Sequence, residues 1–267
     1  MKVYLMTDLE GVAGVADLPN WCCNDSKYYE LGKKLMTMEV NAAIEGFFDA
    51  GADEIVVQDG HGEGAIDITL LDSRAKLQRG WEGPYPFGLD SSYDVMAWVG
   101  QHPKAGTEYG HLCHTGSMSV LDCEINGISV GEYGKEVFLG QLFDVTPIFA
   151  SGCLAFTKEA KSLVEGIETV SVKEGVKSGK GDECTTEEYT VRNSAAIHLQ
   201  PEASRRLIKE GAKKALERYL SEPESFKPVK IYPPYSIKTV YRASANKNGG
   251  TVENGGFDDL VKLLNLG

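Results

Sequence analysis

The chain has 267 residues, 42% hydrophobic and 25% charged, which is ordinary for a soluble globular protein and enough for one large α/β domain or one domain with a smaller appendage. Its formal net charge of -12, with Lys and Arg mixed among Glu, argues against nucleic acid as a partner, and no stretch approaches the ~20 apolar residues of a membrane span. Cys22, Cys23, Cys113, Cys123, Cys153 and Cys184 form no C-x-x-C pair and Met1-Lys2-Val3 reads as structure rather than as a signal, so free thiols in a reducing cytoplasm are expected.

Lys2 to Thr7 reads as a strand, and a Gly-, Pro- and Asn-bearing loop follows it. Leu31, Leu35, Met38, Ala42, Ile44 and Phe48 recur at roughly a helical period, which predicts a helix over about Ser26 to Ala50 with Gly51 as its stop. Glu54 to Val57 is a second strand. An irregular segment from Arg79 to Ser92 carries Trp81, Tyr85 and Phe87 and is suited to walling a pocket. Val95 to Val99 is a third strand. Asn126-Gly127 between Ser117–Glu124 and Ile128–Gly131 predicts a hairpin, with Glu132 just beyond its second arm. A helix over about Lys135 to Phe143 and a strand over Thr146 to Ala150 restore the α/β alternation. Beyond Gly152 the pattern predicts a helix over Lys158–Glu165, a strand over Glu168–Lys173, an exposed polar loop over Ser178–Glu188 and a helix over Pro201–Leu220. A β-rich Val229–Arg242 and a short helix over Asp258–Leu264 close the chain.

The fold class is therefore α/β, with a mainly parallel or mixed sheet flanked by helices and a smaller C-terminal α+β portion. The expected division is 1–150 and 151–267.

Three predicted strands end in the same chemistry. The first is followed by Asp8-Leu9-Glu10-Gly11, the second by Gln58-Asp59-Gly60-His61 and the third by Gly100-Gln101-His102. In open α/β sheets ligands bind outside the C-terminal strand ends. Each residue alone has an ordinary alternative, a turn or helix cap for the carboxylates and a surface loop for the histidines. Unrelated turns have no reason to share these residue types, so the set points to a metal site and an enzyme. The candidate ligands are Asp8, Glu10, His61, His102 and Glu132. Mixed His and carboxylate donors suit Zn²⁺, and a bridging carboxylate, for which Asp8 is the natural choice, suits a pair of ions. His111 and His114 sit where an acid/base residue belongs. His198 reads as part of a packed helix turn.

Taken in order, Asp8-Leu9-Glu10-Gly11, Asp59-Gly60-His61, Gly100-Gln101-His102, His114-Thr115 and Gly131-Glu132-Tyr133-Gly134 resemble the DppA-like D-aminopeptidase family. Weaker similarity continues through Val172–Gly175 and Ser194–Pro201. The resemblance implies a dinuclear zinc peptidase that removes N-terminal residues, D-residues among them, from short peptides. It implies a self-compartmentalising homo-oligomer, a decamer. It assigns Asp8 as the bridge, Glu10, His61, His102 and Glu132 as the remaining ligands, and His114 as the catalytic histidine. Cys153 stands where the family usually has Asp, and the loop over Lys177–Val191 is longer and more charged than usual. An acidic side chain is expected to bind the substrate ammonium, with Asp59 or Glu63 the candidates. The rival functions are another metallohydrolase, an amidase or phosphoesterase, and a non-catalytic metal-binding oligomer. The absence of an Arg cluster near the motifs weakens phosphate chemistry.

Overall fold

Lys2–Thr7 forms β1, a strand buried from Val3 onward, and the rest of the molecule is built outward from it. The computed structural model describes residues 1–62, 64–81 and 83–266. After β1 come α1 (Leu18–Trp21), α2 (Tyr29–Asp49), β2 (Glu54–Asp59), β3 (Lys76–Gln78) and β4 (Val95–Gln101). The middle of the chain holds β5 (Val120–Ile125), β6 (Ile128–Ser129), α3 (Glu132–Phe143), β7 (Thr146–Cys153), α4 (Leu154–Leu163), β8 (Val164–Glu165) and β9 (Glu168–Gly175). The remainder is α5 (Thr186–Arg192), β10 (Ala196–His198), α6 (Pro201–Ser221), β11 (Lys227–Pro228), β12 (Tyr235–Tyr241), β13 (Gly250–Phe257) and α7 (Leu260–Leu264).

A seven-stranded sheet runs in the order β10-β9-β7-β4-β1-β2-β3. Its strands are parallel except β10, which runs antiparallel to β9. The sheet draws strands from both sides of Ala150. Side chains alternate across it, as the strand period requires. Val3 and Leu5 join the core under α2 and α6, with Met36, Ile44, Phe47, Ile208 and Leu216. Tyr4 and Met6 face the other way, with Val137 and Phe138 of α3, Phe156 of α4 and Leu260 of α7. Helices on both faces explain why β4 is buried at every position and reads as an unbroken apolar run.

A four-stranded antiparallel sheet, β13-β12-β5-β6, and the pair β8–β11 complete the strands. The β5–β6 turn has positive φ at both central residues, 48° at Asn126 and 76° at Gly127, the backbone that an Asn-Gly hairpin turn demands. That hairpin delivers the chain to Gly131, the N-cap of α3, and so puts Glu132 in the first helical turn.

The structure departs from expectation in several places. His198 lies in β10 rather than in a helix turn. Part of the expected exposed loop becomes α5, which starts on a capping box between Thr185 and Glu188 and buries Tyr189. β13 was not expected at all. Its sequence, GTVENGGF, is mostly exposed and lacks apolar alternation, so it carries no periodic signal. No helix among the described residues is long and apolar enough to cross a membrane.

Candidate metal centre

Register brings the three strand ends together. Thr7 of β1 is level with Asp59 of β2 and with Val99 of β4. The residues that follow, Asp8, Gly60-His61 and Gly100-Gln101-His102, therefore leave the sheet side by side, at a spacing of about 5 Å per strand. Asp8 N donates to Val99 O at 3.0 Å, and Gly11 N donates to Gly100 O at 2.6 Å, which ties the β1 exit to the β4 exit.

Two groups of potential ligand atoms result, Asp8, Glu10 and His61 in one and His102, His114 and Glu132 in the other, each within 4.8 Å. His61 Nδ1 lies 3.1 Å from Asp8 Oδ1 and 2.9 Å from Glu10 Oε2. His102 Nε2 lies 3.2 Å from Asp8 Oδ2 and 3.4 Å from Glu132 Oε2. Asp8 thus shows one carboxylate oxygen to each group. His114 Nε2 is 3.8 Å from Glu132 Oε1. The His114 ring stacks on His102 at 3.9 Å, held there by His114 N donating to Pro103 O at 3.2 Å. His114 is therefore placed to act as a ligand as well as to exchange protons.

The opposite nitrogens fix the tautomers. His61 Nε2 is 2.8 Å from Cys22 O, His102 Nδ1 is 3.0 Å from Pro103 O, and His114 Nδ1 is 2.9 Å from Leu112 O. A carbonyl oxygen only accepts, so each of those nitrogens carries a hydrogen. The remaining lone pairs of His61 and His102 then aim at carboxylate oxygens. That arrangement is repulsive unless a proton or a cation sits between them, and the backbone-anchored imidazole is the usual setting of a metal ligand. Glu10 Oε2 is buried without a well-directed hydrogen bond despite its nearness to His61. The donor set, nitrogen and carboxylate oxygen with a spanning Asp, fits zinc or a similar divalent ion.

Protonation energetics tell the same story. Burial resists charge on His61, but Glu10 and Asp8 overcome it and push the imidazole up to about 12. His102 is likewise raised well above its ordinary value: burial opposes the charge, and Glu132 and Asp8 outweigh it. Burial and then Glu10 push Asp8 up to about 7. For Glu10 burial is outweighed by His61, and for Glu132 by His102, so both carboxyls are held below the usual range. His114 is lowered by burial and then by His102, which keeps it neutral near pH 7.

Gln101 Nε2 donates to Asp8 Oδ2 at 3.0 Å, and Gly116 N donates to Glu132 Oε1 at 2.6 Å. Gln101 stands in the Gly100-Gln101-His102 motif, where the sequence alone gives it no role. The groups open onto a cleft of about 350 Å³ whose far wall is Trp81, Tyr85 and Phe87. Trp81 Nε1 donates to Gln58 Oε1 at 3.1 Å, and Asn265 brackets Tyr85 with bonds of 3.1 and 2.9 Å. Glu136 also lines the cleft. Burial pushes its carboxyl up to about 8, against the hydrogen bond from Trp98.

Two expectations change. Asp59 cannot take a substrate ammonium, because Arg79 Nε at 2.7 Å and the Ala65 N–H at 2.7 Å already occupy its carboxylate. Glu63 lies outside the described residues. His111 is buried away from the cleft, its Nε2 donating to Ala16 O at 2.9 Å, and burial lowers it to about 3.

An α/β sheet with paired His–carboxylate groups at its C-terminal edge, opening on an aromatic-walled cleft, defines the class of metal-dependent hydrolases. The chain belongs to the D-aminopeptidase family, whose model matches residues 1–249. It is 29% identical over 220 residues to a D-aminopeptidase of Bacillus subtilis (strain 168), an alignment that covers 81% of this chain and 74% of that one. Its fold is similar to that of the Zn-dependent D-aminopeptidase DppA from Bacillus subtilis, a self-compartmentalizing protease, with a TM-score of 0.83 at 24% identity over 100% of this chain and 95% of the other.

Proposed function

We propose that this peptidase is a dinuclear zinc aminopeptidase that cleaves N-terminal residues, D-residues among them, from short peptides. The observation that carries the reading is Asp8. Its Oδ1 faces His61 and its Oδ2 faces His102, so one carboxylate spans two ligand groups. In this assignment Glu10 and His61 complete one side, and His102 and Glu132 complete the other. Zinc held there would supply Lewis acidity for the scissile carbonyl and for water. The chain's own groups do the rest. His114 carries its hydrogen on Nδ1, bonded to Leu112 O, so Nε2 is free to accept a proton and return it to the leaving amine. Gln101 holds the Asp8 carboxylate in place. Trp81, Tyr85 and Phe87 give the substrate side chain an apolar wall and narrow the access of water.

The six free thiols support a reducing, cytoplasmic setting. A homo-oligomeric, compartment-forming assembly, a decamer by family resemblance, is part of the same proposal. The deciding experiment is turnover of matched D- and L-aminoacyl amides and dipeptides by protein of measured zinc content. Hydrolysis of phosphoesters with no cleavage of any aminoacyl substrate would overturn it.

A further inference from the structure

An aminopeptidase must hold a free α-ammonium beside the carbonyl it attacks, and the side chain that does so is not apparent among the ligands. Asp8, Glu10 and Glu132 face the imidazoles. Asp59 is occupied by Arg79 and backbone N–H groups. Among the described residues, one further carboxylate lines the cleft, Glu136. It sits one helical turn after Glu132 on α3, and i, i+4 residues share a helix face with Cβ atoms about 5–6 Å apart. It is 4% exposed. Its Oε2 accepts from Trp98 Nε1 at 2.9 Å, a bond that fixes the carboxyl from behind. Among the described residues no donor pairs with its Oε1, and Glu136 lines the cleft.

We infer that Glu136 is the receptor for the substrate's α-ammonium group. This inference rests on the aminopeptidase reading and names the residue that makes it an aminopeptidase. Alone, the buried carboxyl keeps its proton near neutral pH; an ammonium beside it favours the carboxylate, so binding releases that proton to solvent and pairs the two charges. An ammonium bonded there lies one helical turn from Glu132, which places the adjoining carbonyl toward the ligand groups and the side chain toward the aromatic wall. The signal was present in sequence as a second Glu at i+4 from a candidate ligand, inside the helix predicted to begin at about Lys135.

Alanine hydroxamate and propionohydroxamate share a metal-seeking group and differ only in the amine. Their binding to the zinc-loaded protein can be followed by the fluorescence of Trp98, which is bonded to Glu136. The wild-type protein is expected to prefer the amine-bearing probe by ~10-fold or more, the ordinary worth of a charge-assisted hydrogen bond. Glu136→Gln keeps an oxygen for Trp98 but not the charge. It should bring that ratio close to one while leaving propionohydroxamate binding unchanged, and Glu136→Asp should retain part of the preference. A preference that survives in Glu136→Gln would overturn the inference and assign the amine elsewhere. Equal weakening of both probes would also overturn it and mark Glu136 as structural. Turnover of an alanine amide by the wild-type protein, assayed alongside, reports separately on the aminopeptidase reading.

Discussion

Asp8 carries the largest consequence of any single side chain. Its two oxygens serve two ligand groups, so Asp8→Ala is expected to release most of the metal and to lower activity by ~100-fold or more, beyond the 10–100-fold typical of an outer-shell partner. Elemental analysis checks it, and full metal content in Asp8→Ala would remove the bridging role. His114 poses a different question, because its ring stacks on a ligand candidate and its Nε2 lies near Glu132. As a proton carrier it can be lost without loss of metal. His114→Ala is expected to keep its zinc and to fall ~100-fold or more in kcat, the usual lower bound for a positioned acid/base group. If half of the metal leaves with it, His114 is a ligand instead. His111→Ala should leave kcat nearly unchanged, since His111 reaches the Ala16 carbonyl and not the cleft. In the sequence, His114 is favoured by its place after the His102 strand end and outside the five candidate ligands, and His111 is set aside because it lacks the motif match. Their distinction is physical: one ring is held against His102, and the other is buried on the far side of a loop.

That loop, from Ala13 to Ala16, follows the first pair of candidate ligands and is held by side chains from several elements. Ala13 N donates to Glu39 of α2 at 3.1 Å, Gly14 N to His198 Nδ1 of β10 at 3.0 Å, and Val15 O accepts from Lys173 of β9 at 3.1 Å. None of this was readable beforehand. The partners are 26, 184 and 158 residues away, and local pattern carries no information at such separations. The strand ends were readable because an apolar run that stops at Asp, Glu or His is a local feature. Glu39 gives the clamp a pH signature. It is 1% exposed, and burial pushes its carboxyl up to about 7 against the bonds from Ser204 and Ala13 and the charges of Lys173 and Arg205. The unfolded value is about 4.3, so the folded chain holds an extra proton between the two values. Stability therefore falls as pH rises from about 4.3 to 7, by on the order of 3 kcal/mol. Glu39→Gln mimics the protonated acid and should lack that slope. Urea unfolding at pH 5 and pH 8 is expected to show the variant gaining ~2–3 kcal/mol on the wild type between the two. A constant difference would mean that Glu39 does not titrate in this window.

The central parallel strands and long helices were visible in the sequence because their apolar periods are continuous. The short edge strand β10 and the polar β13 were not, because three residues, or a Gly-rich exposed run, show no period. Those same elements bear on assembly. The seven-stranded sheet ends on β10 and the four-stranded sheet on β13, so each leaves backbone donors and acceptors along an outer edge. Ile197 on β10 is 68% exposed and Val252 on β13 is 52% exposed. A strand of three residues, such as β10, and a charged one, such as β13 with Glu253, are ordinary ways of blunting an edge, so these edges do not by themselves call for a partner. The assembly proposal therefore rests on the family resemblance. In solution the particle is expected to be several times heavier than the 29.0 kDa chain by light scattering. If subunits enclose the active sites, folded proteins should resist cleavage under conditions where short peptides are consumed. The two measurements separate the claims. A stable, active particle of one chain would end the assembly proposal and leave the metal chemistry in place. A large particle that degrades folded proteins as fast as peptides would keep the oligomer and discard the enclosed chamber.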